Sequence, residues 1–212
     1  MCSRLYDHVP MITLNELISR LRSVTDICQS SKDDMSFEEA EVVARFYHDY
    51  QNTNTVIDAA EEMAQCDPVG LKDIMGELAR EAQQALKVLP NIAGIDFNKV
   101  GTDYSDRFYD AFNEASKANA PLRRRVYELN TRLDYLPLDS EEYYECEKEL
   151  EEAKAELEPR QKEVEAKYAI YEKEYERSAD VRCFKPEYLE VLIVKLGQIA
   201  DAVLADLNRA GV

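Results

Sequence analysis

Two histidines and five cysteines are the side chains best suited to acid–base or nucleophilic chemistry here, and their spacing supports neither. His48 lies in "RFYHDYQ" beside Asp49, and His8 lies near the start of the chain. A catalytic base needs a nucleophile within reach and a pocket around both, and no motif supplies them. His48 therefore reads as a surface or half-buried helix residue. Cys2, Cys28, Cys66, Cys146 and Cys183 are scattered, odd in number and form no CxxC. A reactive thiolate requires an electropositive setting such as a helix start, which none of them has by sequence. Cys28, Cys146 and Cys183 fall on or near apolar helical faces and read as small core fillers. With no disulfide framework expected, a reducing cytoplasm is the expected location.

Metal chemistry fares no better. There is no ExxH, no HExxH and no Cys/His cluster. Asp103, Asp106 and Asp110 in "DYSDRFYD" look like ligands at first, but acids in a first helical turn complement the helix dipole. No glycine-rich phosphate loop appears. The "RRR" of Arg123–Arg125 suits phosphate or carboxylate, and the neighbouring glutamates favour carboxylate. The expectation is no catalytic residue, no cofactor and no metal ligand, and a protein that is not an enzyme.

Tyrosine is the more suggestive residue type. There are 13, with no tryptophan, and ten lie from Tyr104 onward. Tyr135, Tyr143 and Tyr144 cluster beside Asp134, Asp139, Glu141 and Glu142. Tyrosine offers large contact area at low entropy cost and is enriched in interfaces. Asp134, Tyr135, Leu138, Asp139, Glu141, Glu142 and Tyr144 form the candidate partner-binding set. The competing reading makes Tyr143 a packing residue and the other rings amphipathic side chains lying along the surface.

These residues must be positioned by helices. Glycine and proline are scarce at 6 and 7, and no sustained alternating strand pattern occurs. Thr13 and Glu16 have capping-box spacing, and Leu14, Leu17, Leu21, Val24 and Cys28 follow at steps of three and four. The ten residues before this helix read as a short arm without the apolar core of a signal peptide, and Met11 is an alternative start. Ser36 and Glu39 repeat the box before Phe37, Ala40, Val43 and Tyr47. A weaker helix spans about 54–65. Asp67 and Pro68 open a fourth, with Leu71, Ile74, Leu78, Ala82, Ala85 and Leu89 in one stripe. Residues 11–89 thus read as a small helical bundle. Residues 90–103, with one proline and two glycines but also Ile92, Ile95, Phe97 and Val100, read as a structured loop or linker packed on it.

From 104 to 178 the pattern changes. Phe108, Ala115, Leu122, Leu129 and Leu136 recur every seven residues, as do Tyr143, Leu150, Leu157, Val164 and Tyr171. Ala111, Ala118, Val126 and Leu133 fill a second seam with one slip, and Cys146, Ala153, Tyr168 and Tyr175 partly fill its counterpart. Two such stripes on either side of residues 136–139 predict a long antiparallel hairpin, coiled-coil-like, each arm roughly 50 Å long at 1.5 Å per residue. Pairing i with about 276 − i sets Arg123–Arg125 against Glu151 and Glu152. Pro121 and Pro159 lie inside the arms and predict kinks or short breaks, or alternatively a new helix starting at Pro121. A final helix spans 186–209, and its apolar face at Leu189, Leu192, Leu196, Ile199, Val203 and Leu207 needs a partner element. The fold class is all-α.

The net charge of −17 opposes nonspecific binding to nucleic acid or anionic membrane, and no run of about 18 apolar residues is present. Charge of this sign also serves solubility alone. Three functions compete. The first is a non-catalytic inhibitor or adaptor that engages a protein partner with a basic surface. The second is a nucleic-acid mimic that blocks a DNA- or RNA-binding protein, with a hairpin tip entering an enzyme channel as a variant. The third is an enzyme on a helical scaffold. A second copy of the chain is a further partner to consider.

Overall fold

The computed structural model describes residues 13–31 and 34–212; the arm of residues 1–10, Met11, Cys2 and His8 lie outside the described residues. Among the described residues there are eight α-helices and no strand: α1 (Leu14–Ser30), α2 (Phe37–Tyr50), α3 (Asn54–Cys66), α4 (Pro68–Val88), α5 (Phe97–Leu133), α6 (Glu141–Arg177), α7 (Ala179–Cys183) and α8 (Pro186–Ala210). They divide into two units, one built from residues up to Gly101 together with Asp180–Val212, the other from Thr102–Ala179.

The first unit starts from well-capped helices. The Thr13 side chain accepts from the Glu16 amide, and Ser36 with Glu39 makes a reciprocal capping box. Asp67 accepts from the Gly70 amide ahead of Pro68 in the first turn of α4. Each cap satisfies amides the helix cannot, worth about 1 kcal/mol apiece. The core joins Leu17, Leu21 and Val24 of α1 to Leu71, Met75 and Leu78 of α4 and to Leu189, Ile193 and Leu196 of α8, all essentially inaccessible. Helix α8 finds its partner chiefly in α4, and a Cβ added at Gly197 would sit 3.6 Å from the Ala82 Cβ. Phe184 contacts both Phe97 (4.7 Å between ring centroids) and Tyr47 (5.9 Å), and Tyr47 stacks on Tyr188 at 5.4 Å.

Residues 90–103 are less of a loop than expected. Leu89–Ile92 is a 3₁₀ turn and α5 already begins at Phe97, so only a few residues are irregular. Ile92 and Phe97 are fully buried, which is why the segment cannot be a free tether. Cys28 is buried as expected, but Cys183 is exposed, because α7 turns it away from the core that Val181 enters.

In the second unit α5 and α6 pack against each other. Neither proline ends its helix: Pro121 and Pro159 both sit within unbroken 37-residue helices. Leu122, Leu129, Cys146, Leu150 and Ala153 form the buried cluster, with Val126, Leu133, Leu136 and Leu157 packed against it. The second seam differs from expectation. Ala111 and Ala118 are exposed; Phe112 and Asn119 point inward instead, so the sequence Phe112, Asn119, Val126, Leu133 keeps a strict seven-residue step with no slip. On α6, Tyr168 and Tyr175 are likewise exposed, and Lys167 and Glu174 occupy the half-buried positions. Polar residues at seam positions leave no mark in an apolar pattern, so Asn119 shows in the sequence only as a slip. The arginine cluster also differs: Arg123 donates to the Ser116 carbonyl at 2.6 Å and Arg124 to Glu128 at 2.8 Å, both within α5.

Candidate functional site

The connection between α5 and α6 is shaped by short-range hydrogen bonds. Amides of Tyr135 and Leu136 donate to the carbonyls of Arg132 and Leu133 at 3.1 and 3.2 Å, closing the end of α5 with tight turns. Pro137 ends helical continuation. The Ser140 amide returns to the Pro137 carbonyl at 3.2 Å, and the Ser140 hydroxyl then caps α6 by accepting from the Tyr143 amide at 3.1 Å. Between them Asp139 adopts φ 70°, the left-handed region that Asp tolerates better than most residues. Its carboxylate accepts from the Tyr144 hydroxyl at 3.1 Å. Glu141 and Glu142 fall in the first turn of α6, where the helix dipole favours negative charge.

The turn is anchored by half-buried Leu133, Leu136 and Tyr143, and by the Cys146 thiol reaching the Leu129 carbonyl at 3.6 Å. That leaves the remaining side chains outward. Tyr135 is 85% exposed, Leu138 76% and Tyr144 55%. Asp134, Asp139, Glu141 and Glu142 are exposed as well, so the loop brings the whole candidate set onto one end of the hairpin. Tyr143 takes the packing role and meets the Tyr144 ring edge-on at 6.0 Å. An open depression here is lined by Asp139, Glu141, Tyr144, Glu145 and Lys148. Glu145 and Lys148 escaped the sequence reading, although each lies four residues after a candidate residue (Glu141 and Tyr144) and hence on the same helical face.

Charge is distributed unevenly along the hairpin. Residues 102–179 contain 21 Asp and Glu against 13 Lys and Arg, while residues 134–149 alone contain seven against one. Most of the hairpin's excess therefore sits at the tip. Several shank carboxylates are neutralised within α6: Glu156 pairs with Arg160 at 2.7 Å, Glu158 with Lys162 at 2.7 Å and Glu163 with Lys167 at 2.9 Å. Lys162 thereby holds the Glu158 carboxyl below its ordinary value. Among the described residues none of the seven tip carboxylates enters an ion pair.

At the opposite end of the unit, the Tyr104 hydroxyl donates to Glu174 at 2.5 Å, and Arg107 and Arg177 lie over its ring at 5.0 and 5.6 Å. Phe112 meets Tyr168 at 5.2 Å and Tyr109 meets Tyr171 at 5.4 Å. These contacts join the arms and engage Tyr104, Tyr109, Tyr168 and Tyr171, four of the 13 tyrosines.

The other chemical candidates are dispersed. His48 lines a cleft in the first unit with Arg20, Arg45, Asp49 and Asp180. Burial pushes the Cys28 thiol up to about 11, away from thiolate reactivity. Among the described residues no three His, Cys, Asp or Glu side chains converge as a metal site, and no helix is long and apolar enough to cross a membrane. No family model matches the chain, no curated protein matches it, and no solved structure matches it.

Proposed function

We propose that this chain is a non-catalytic interaction protein, an inhibitor or adaptor, whose hairpin tip engages a basic surface of a protein partner. The observation that carries this reading is the coincidence at residues 134–149 of three exposed, largely apolar side chains, Tyr135, Leu138 and Tyr144, with seven carboxylates that enter no ion pair among the described residues. Exposed aromatic rings give an interface its contact energy, and unpaired charge steers a basic partner onto them. In this reading the hairpin is an antiparallel coiled coil that holds the tip rigid. The four described cysteines are free, in keeping with work in a reducing compartment such as the cytoplasm.

Mimicry of nucleic acid is the competing reading. It calls for a row of unpaired carboxylates, and along the shank Glu156, Glu158 and Glu163 are paired within their own helix. These internal pairs interrupt such a row along α6, and this favours the inhibitor or adaptor reading.

Both readings are tested by capture from the native cell extract with the wild-type chain and with a triple variant, Tyr135→Ala/Leu138→Ala/Tyr144→Ala. A partner held by the wild type and lost from the variant supports the tip. Identical capture by both overturns it. Release of that partner by added DNA or RNA favours mimicry, and indifference to nucleic acid favours the inhibitor or adaptor.

A further inference from the structure

The first unit contains a second surface that the hairpin tip does not explain. A cavity of about 640 Å³ opens between α3 and the C-terminal half of α8, lined almost entirely by apolar residues. On α3 the lining recurs at Ile57, Ala60 and Ala64, and on α8 at Ile199, Val203 and Leu207, so each helix presents one continuous face. The α8 lining runs from Ile199 to Ala210, about 16 Å at the helical rise, which is three turns of a third helix. Alanines among the larger residues leave room for a third backbone to approach.

Helix α3 is the least supported of the long helices in this unit. Of its 13 residues only Val56 and Ala60 are buried, and its N-cap residue Thr53 makes no side-chain capping hydrogen bond, leaving the Asn52 side chain to accept from the Asn54 amide at 3.2 Å. A helix of this length has little stability of its own and depends on covering its apolar face. Its charge says what would cover it. Helix α3 carries Asp58, Glu61 and Glu62 and no Lys, Arg or His, and Glu61 and Asp206 line the cavity itself. Asp206 pairs with Arg209, while among the described residues Asp58, Glu61 and Glu62 enter no ion pair.

We infer that this groove binds a basic amphipathic helix of a partner protein, its apolar side chains seated between α3 and α8 and its Lys or Arg side chains facing the α3 carboxylates. Groove docking of this kind uses anchors at i, i+3, i+4 and i+7. A second copy of the chain is a poor occupant, because pairing groove to groove would bring two acidic α3 helices together.

The test uses the full chain carrying Tyr135→Ala/Leu138→Ala/Tyr144→Ala, so that the tip plays no part. The probe is a fluorescein-labelled helical peptide of about 14 residues, a leucine stripe flanked by Lys and Arg, with a control in which every Lys and Arg is Glu. Saturable binding of the basic peptide is expected with Kd below about 100 µM and at least about tenfold weaker binding of the acidic one. Hydrogen exchange should slow in residues 54–66 and 199–210. Ala202→Trp, at an exposed lining position, should weaken binding about tenfold or more at unchanged melting temperature. Absence of binding, equal binding of both peptides, protection elsewhere, indifference to Ala202→Trp, or a stable dimer that buries these residues would each overturn the inference.

Discussion

The Cys146 thiol meets the Leu129 carbonyl at 3.6 Å, which sets these two residues against each other across the α5–α6 hairpin, in keeping with the pairing of i with about 276 − i. Leu129 and Cys146 belong to one buried cluster with Leu122, Leu150 and Ala153, so the register and the core are the same contact set. Truncating Leu150, 4% exposed, to alanine is expected to cost about 2–4 kcal/mol through lost burial and an unfilled cavity. Urea denaturation followed by circular dichroism would measure it, and a loss below 0.5 kcal/mol would contradict this packing.

Asn119 is 3% exposed at a position in register with Phe112, Val126 and Leu133. A buried polar residue in a helical seam costs stability and fixes alignment. Asn119→Leu is expected to raise the melting temperature while loosening the register. Spin labels at exposed positions 118 and 156 should then report a broader distance distribution than in the parent. An unchanged distribution would remove the alignment role from Asn119.

Asp139 is the sole non-glycine residue with positive φ among those described. A β-branched side chain there meets the following carbonyl, at roughly 1–2 kcal/mol. Asp139→Val should therefore lose about that much stability, whereas Asp139→Asn should stay within about 0.5 kcal/mol of the parent, since Asn tolerates the left-handed region. Equal melting temperatures for the two variants would argue for a different turn.

Tip side chains touch little of the protein that bears them. Tyr135→Ala and Leu138→Ala, at 85% and 76% exposure, are expected to change stability by less than about 0.5 kcal/mol. Each should nevertheless weaken partner binding by roughly tenfold or more, the signature of an interface anchor. Isothermal titration against a captured partner separates the two effects. Parent-like affinity in both variants would take the aromatic tip out of the interface.

Tyr50 is wholly buried in α2, and burial pushes its phenol up to about 12, while the Arg20 guanidinium 6.0 Å from the ring centre partly opposes the shift. Its hydroxyl finds no hydrogen-bond partner among the described residues. The unfolded chain releases this proton near pH 10 and the folded chain near pH 12, so between these values the unfolded state binds fewer protons. Stability must then fall as pH rises across that window. Tyr50→Phe should flatten the alkaline decline and leave neutral-pH stability equal or higher. Melting temperatures from pH 7 to 11 would show it, and an alkaline limb as steep as the parent's would assign the loss to other groups.

How much of this was legible beforehand differs from element to element. Caps at Thr13, Ser36 and Asp67, the reversal after Leu136 and the exposed set around Tyr135 and Tyr144 were all readable, because each depends on residues within a few positions of one another. Helix starts, turns and seven-residue stripes are local consequences of backbone geometry, and one sequence contains them. The inward turn of Asn119, Lys167 and Glu174 was not readable, since polar residues leave no mark in an apolar pattern and only a facing helix makes their positions interior. The persistence of α5 and α6 through Pro121 and Pro159 was equally hidden. A lost hydrogen bond favours a break in isolation, and packing on both sides of each proline outweighs it. The same holds for the groove between α3 and α8, whose helices lie more than a hundred residues apart in the chain: its shape, and the bareness of the acidic helix beside it, exist only once the tertiary fold has brought the two faces together.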